Sequence, residues 1–197
     1  MENIEALRAK SCFRFHVMEK LFAKGAQVEN WISRHEAELP IPPYTSIDIR
    51  DSGFKALPVD SNAFPGGFNN ICNEDWPVAA CNFSRVLRAH GKRPKRILLI
   101  PENHTNNAYY FENLRALREM LVLAGFETIL GHLNPQLPDN LEPGMSQVTT
   151  ALGHQLVLER LERRGNRLAT RRQEFDAGDL VLLNNDLSNG LLPELEG

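Results

Sequence analysis

Arg96-Ile97-Leu98-Leu99-Ile100 is a short apolar run with no polar alternation. Strands that are buried on both faces read this way, and parallel strands are buried on both faces. The run is followed by the polar stretch Pro101–Asn107, a helical pattern over Tyr109–Ala124 and a second strand-like segment, Phe126–Leu130. Strand, loop, helix and strand in that order make a β-loop-α-β unit. Leu180–Leu183 adds another apolar strand, and Gln155–Leu161 and Arg167–Arg171 alternate on either side of Arg164-Gly165-Asn166, a turn signal. The expected fold is α/β: a mixed sheet flanked by helices, an N-terminal helical layer, and a β-hairpin insertion near Gln155–Arg171. Open α/β sheets take ligands beyond the carboxyl ends of their strands, where Pro101–Asn107 falls. The sequence contains neither G-x-G-x-x-G nor G-x-x-x-x-G-K-[ST], so it predicts no dinucleotide fingerprint and no phosphate loop.

Ser46–Cys72 is the other dense segment. Ser46–Arg50 alternates as a strand, Asp51-Ser52-Gly53 has turn chemistry, and Phe54–Asp60 reads as a second strand. Pro58 assigns that second strand to an edge or a bulge. Ile47, Ile49, Phe54, Leu57, Val59, Phe64 and Phe68 predict that the segment packs. Two aromatics then bracket Pro65-Gly66-Gly67, whose glycines permit close backbone approach to a ligand. Polar side chains that pack need partners, so the cluster reads as a site rather than a self-bonded turn. Arg50 suits bidentate binding of an α-carboxylate, with Asp48 and Asp51 as its alternative salt partners. Asp60 or Glu102 suits an α-ammonium, and Asn62, Asn69 and Asn70 offer both donors and acceptors. Lys55 is read either as an anion contact or as an exposed strand lysine. His104 reads as a base or, more simply, as a hydrogen-bonding loop residue. No metal-ligand spacing is present.

Ahead of this segment, Ile4–Ala23 and Val28–Leu39 have helical periodicity, with Gly25 as a stop and with Trp31 and Ile32 expected to be buried. After it, Asp75-Trp76-Pro77 opens a helix running to about His90. The net charge of −3 and the absence of aromatic residues among the basic runs Arg88–Arg96 and Arg160–Arg172 argue against a nucleic-acid partner. No long apolar run predicts a membrane span, and the absence of a secretory h-region makes the cytoplasm the default location. Cys12, Cys72 and Cys81 form no disulfide or zinc pattern and are expected to be buried as small apolar residues.

VDSNAFPGGFNNIC at Val59–Cys72, preceded by SIDIRDSGFKALP, resembles the signature of the proteobacterial glutamate–cysteine ligases related to the ATP-grasp superfamily. ILLIPENHTNNAYYFENL at Ile97–Leu114 and LVLLNNDLSNG at Leu180–Gly190 resemble two further stretches of that family, in its order. The resemblance implies a Rossmann-like domain of the kind that precedes an ATP-grasp domain. It implies formation of γ-glutamylcysteine from glutamate and cysteine through an acyl phosphate, the first step of glutathione biosynthesis, with ATP and magnesium as cofactors. Members of the family are considerably longer. The chain is therefore expected to be an N-terminal portion, inactive alone, whose nucleotide and magnesium ligands lie mainly in an absent C-terminal half. Its expected division is 1–91, with the helices and substrate hairpin, and 92–197, with the Rossmann-like domain. Implied substrate contacts are Arg50, Asp60, Asn62, Asn69 and Asn70, and, less directly, Lys55, Glu102, Asn103, His104, Asn185 and Asp186. Two other readings stand beside this one: a non-catalytic amino-acid-binding or regulatory module, and a scaffold that forms a homo-oligomer through its N-terminal helices.

Overall fold

A computed structural model describes residues 17, 19–39, 42–52, 55–89, 94, 96–103, 106–185, 190 and 193–195. His104, Asp186, Cys12, Phe54 and most of the first predicted helix lie outside the described residues. The chain divides into two compact units, Met1–Ala63 and Phe64–Gly197.

In the first unit, residues 19–23 are helical and end in a turn at Lys24. Gly25 does not act as a stop, because it is the first residue of helix α1, Gly25–Glu38. Trp31 is 56% and Ile32 42% exposed, against the expectation of burial. The indole finds its partner on its own helix instead, with its ring centroid 4.2 Å from that of His35. Strands β1 (Ser46–Asp51) and β2 (Ala56–Asn62) then form an antiparallel two-stranded sheet. Its register slips opposite the Asp48–Ile49 step, leaving Val59 as an extra residue beside Pro58, so the proline marks a bulge. The apolar residues of this ribbon are not packed: Ile47, Ile49, Leu57 and Val59 are all exposed. Two strands alone have no core to cover either face.

The second unit is built on a five-stranded sheet. Helix α2 (Trp76–Ala89) precedes strand β3 (Arg96–Pro101), which is followed by helix α3 (Ala108–Leu123) and strand β4 (Glu127–His132). Strands β5 (Met145–Thr149), β6 (Gln155–Arg160), β7 (Glu162–Arg164), β8 (Arg167–Ala169) and β9 (Leu180–Asn184) complete the unit. The order across the sheet is β5-β6-β4-β3-β9. The four strands β6, β4, β3 and β9 run parallel, and β5 is an antiparallel edge. The mixed sheet with flanking helices matches the expectation. The hairpin insertion is smaller than expected. Gln155–Arg160 belongs to the main sheet, and only β7 and β8 form the two-stranded hairpin around Gly165.

Strand β3 is buried along its apolar length. Leu98 and Ile100 share a cluster with Ile129, Leu161 and Phe175 on one face, and alternation turns Ile97 and Leu99 to the other. Gly131 lets the neighbouring strands close up, since a Cβ there would lie 2.7 Å from Leu98 Cδ1 and 2.8 Å from Leu161. At the amino end of β3, Arg96 donates to Asp179 Oδ1 at 2.8 Å and Gln173 Oε1 at 3.0 Å and lies over the Phe175 ring. That clamp holds segment 173–179 over the Leu98 face. Helix α2 turns Ala80, Phe83 and Leu87 inward and packs on α3, within the second unit, which begins at Phe64. Cys72 and Cys81 are exposed, contrary to expectation. On α2 the inward positions are taken by Ala80, Phe83 and Leu87, and Cys81 falls outside that spacing.

Candidate functional site

Three strand ends set the site. Pro101 at the end of β3 is in register with Asn184 at the end of β9. Glu102 and Asn103 therefore leave the sheet beside Asn185, at the carboxyl edge. Helix α3 begins at the same edge, where Asn107 Oδ1 caps it by accepting the Tyr109 N–H at 2.9 Å. At the end of β4, Asn134 is fully buried, accepts the Gln136 N–H at 2.9 Å and reaches Asn106 Oδ1 at 3.5 Å.

The glycine loop is fastened to this edge by buried amides. Asn184 Nδ2 donates to the Pro65 carbonyl at 3.0 Å. Asn113, on α3, accepts the Phe68 N–H through Oδ1 at 2.9 Å and donates through Nδ2 to Asn184 Oδ1 at 3.3 Å. Tyr110 donates its hydroxyl to the Asn184 carbonyl at 2.6 Å and accepts the Glu102 N–H at 3.0 Å. Gly67 has φ of 89°, a conformation that admits few residues other than glycine, and it starts the 3₁₀ turn Phe68–Asn70. Phe68 is buried against Phe83, with ring centroids 6.4 Å apart. The backbone of the loop is thus fixed while the side chains of Asn69 and Asn70 face solvent.

Five of the predicted site residues meet at this edge: Asn69 and Asn70, exposed; Glu102 and Asn103, half-buried; and Asn185, buried. Arg50, Lys55, Asp60 and Asn62 lie on the ribbon of the first unit. There Arg50 has no ion pair among the described residues, so the reading of Asp48 and Asp51 as its salt partners finds no support. The Lys55 carbonyl closes the ribbon turn by accepting from Ser52 N and Oγ, and Asp60 Oδ1 accepts the Ser61 N–H at 2.8 Å. The Asn62 carbonyl accepts the Thr45 hydroxyl at 2.9 Å. His104 and Asp186 fall outside the described residues.

Sequence reasoning assigned no role to Tyr110, Asn113 or Asn134, and took Asn184 only as part of a polar loop after the last strand. The signal for Asn113 was its place three residues after Tyr110, on the same helix face. Below the edge His132 is fully buried, with Nε2 3.2 Å from the Ser146 hydroxyl. Burial, and secondarily the charge of Arg160, lower its pKa to about 4, against smaller opposing effects of the Asn134 backbone and Asp139. It is therefore a neutral imidazole built into the sheet. Among the described residues no group of three or more His, Cys, Asp or Glu is arranged to hold a metal ion. No helix of the described residues is long and apolar enough to cross a membrane.

This is an α/β protein whose sheet has a polar, amide-rich carboxyl edge. The profile of the GshA glutamate–cysteine ligase family matches residues 18–197. The chain belongs to that family. A crystal structure of a protein provisionally assigned as a gamma-glutamylcysteine synthetase, from Methylobacillus flagellatus KT, is 35% identical with a TM-score of 0.79. The match covers 92% of this chain and 41% of that one, so the chain spans less than half the length of that protein. Among curated proteins none matches at a significant level.

Proposed function

We propose that this chain is the amino-acid-binding portion of a glutamate–cysteine ligase, which joins the γ-carboxyl group of glutamate to the amine of cysteine with ATP as the driving co-substrate. The observation that carries this reading is the gathering of Asn69, Asn70, Glu102, Asn103 and Asn185 on one sheet edge, over a framework of buried amides. A free amino acid presents an ammonium and a carboxylate at fixed spacing. Glu102 is suited to the ammonium, the amides of Asn69, Asn70 and Asn103 to the carboxylate, and Asn185 to orientation. Holding two reactants in line is a large part of what such a ligase supplies. The described residues do not fit a magnesium–nucleotide site, having neither a carboxylate cluster nor a phosphate loop. No phosphoryl-transfer step is assigned to them; in this reading ATP and magnesium are held by the remainder of the ligase.

The test is calorimetric titration of the complete protein with glutamate and with cysteine separately, together with phosphate release from magnesium–ATP. One amino acid should bind, Asn185→Ala should weaken it about tenfold or more, and phosphate release should require both amino acids. Binding without ATP consumption would make the chain an amino-acid-binding module instead. A folded protein that binds neither amino acid refutes both readings.

A further inference from the structure

Strand β1 has a face and an edge that no described element covers. Ile47 is 56% and Ile49 67% exposed, and β2 is the only ladder partner of β1 among the described residues. The two edges of the ribbon differ. β2 carries Pro58 and the extra residue Val59, both devices that discourage further strand pairing. β1 has neither proline nor bulge. Along it, Ile47 and Ile49 point to one face and Asp48 and Arg50 to the other.

We propose that β1 pairs antiparallel, along this open edge, with β1 of a second copy of the chain, making a four-stranded sheet about a two-fold axis. An axis perpendicular to that sheet must set one residue opposite its own copy, because residues one apart point to opposite faces. Few registers satisfy that rule. Centring on Asp48 opposes two carboxylates, and centring on Arg50 opposes two guanidinium groups. Centring on Ile47 sets Asp48 opposite Ser46 and gains no charge pair. Centring on Ile49 stacks Ile49 on Ile49 and sets Asp48 opposite Arg50 on both sides of the axis, with Ile47 facing Asp51 at either end. Opposite charges directly across a ladder stabilise it, and like charges destabilise it. Neither Asp48 nor Arg50 has an ion pair among the described residues, so the register breaks no existing pair. A seam of two six-residue strands falls short of the roughly 1,200 Å² of a stable interface. The dimer is accordingly reversible and concentration-dependent.

Sedimentation equilibrium of the whole chain over a concentration series tests this without reference to any ligase activity. The mass should rise from 22.3 kDa toward twice that value. Asp48→Arg and Arg50→Asp each put like charges in register and should raise the dissociation constant about tenfold. The double variant D48R/R50D swaps the charges and should restore the wild-type constant, which a nonspecific loss of structure would not do. A chain that stays at 22.3 kDa throughout overturns the proposal. So does a dimer indifferent to both single reversals, or one that the double reversal weakens further.

Discussion

His132 makes the second unit sensitive to mild acid, and the size of the effect follows from its burial. Its imidazole is fully buried and neutral, with a pKa of about 4 against an ordinary value of 6.5. In the unfolded chain the same imidazole takes up a proton as the pH falls through 6.5. The native state does not take one up until about 4. Between those values the unfolded state binds more protons, so stability falls with falling pH. At about 1.4 kcal/mol per pH unit, the full loss is about 3 kcal/mol. The charged groups that act on the ring are Arg160, which lowers its pKa, and Asp139, which opposes that effect. His132→Gln keeps a hydrogen-bonding group beside Ser146 and removes the titration. The chain has two tryptophans, so Trp31→Phe leaves Trp76 as a lone indole reporting on the second unit. Urea unfolding of that protein, with and without His132→Gln, should be run from pH 7 to pH 4. The original should be the more stable at pH 7, and its lead should shrink by about 3 kcal/mol toward pH 4. Parallel pH profiles for the two proteins would refute the reasoning.

Three further outcomes follow from named contacts. Gly131→Ala places a methyl group against Leu98 and Leu161 and should destabilise the second unit by about 1–3 kcal/mol, read from the same urea midpoints. Asn113→Ala leaves the Phe68 N–H without its acceptor and should cost about 1–3 kcal/mol locally; hydrogen exchange at the Phe68 amide should speed up while exchange in β3 stays slow. Burial would raise the Asp179 carboxyl, but the bonds from Arg96 and the Asp176 N–H outweigh it and hold the pKa below the ordinary 3.8. That contribution is present above 3.8 and is lost as the pH falls below it, so Asp179→Asn should lower stability at neutral pH and flatten the acid limb of the stability profile.

The parallel core was legible because its strands carry uninterrupted apolar runs and its helix repeats at a clear period. β3, α3, β4 and β9 all fall within a residue or two of their predicted bounds. Strand β5, Met-Ser-Gln-Val-Thr, escaped notice because an edge strand of mixed polarity after a proline loop has neither signature. Gln155–Arg160 was read correctly as a strand and given the wrong partner, since alternation reports a half-buried face and not the element that faces it. The ribbon misled in a similar way, because isoleucine on alternate positions encodes an apolar face whether or not anything covers it. At the site, the loop residues Asn69, Asn70, Asn103 and Asn185 announced themselves, whereas Asn134, in the loop after β4, did not. Nor did Asn113, because an amide within a helix looks like surface until the strand end that it bonds is in place.

The bond from Asn184 to Pro65 spans 119 positions of chain. Its strand, β9, completes the pairing of β3 long after β4 is available, since β4 follows β3 within one helix. Closing so long a loop must precede the contacts that repay it, which makes such pairings late and slow. During synthesis the glycine loop emerges early, finds its Asn113 anchor once α3 is made, and lacks its Asn184 anchor until the segment beyond Leu183 leaves the ribosome. The amide-rich edge is therefore the last part of the second unit to acquire its shape, and a chain interrupted before β9 keeps the β3-α3-β4 unit without the bonds that Asn184 makes to Pro65, Tyr110 and Asn113.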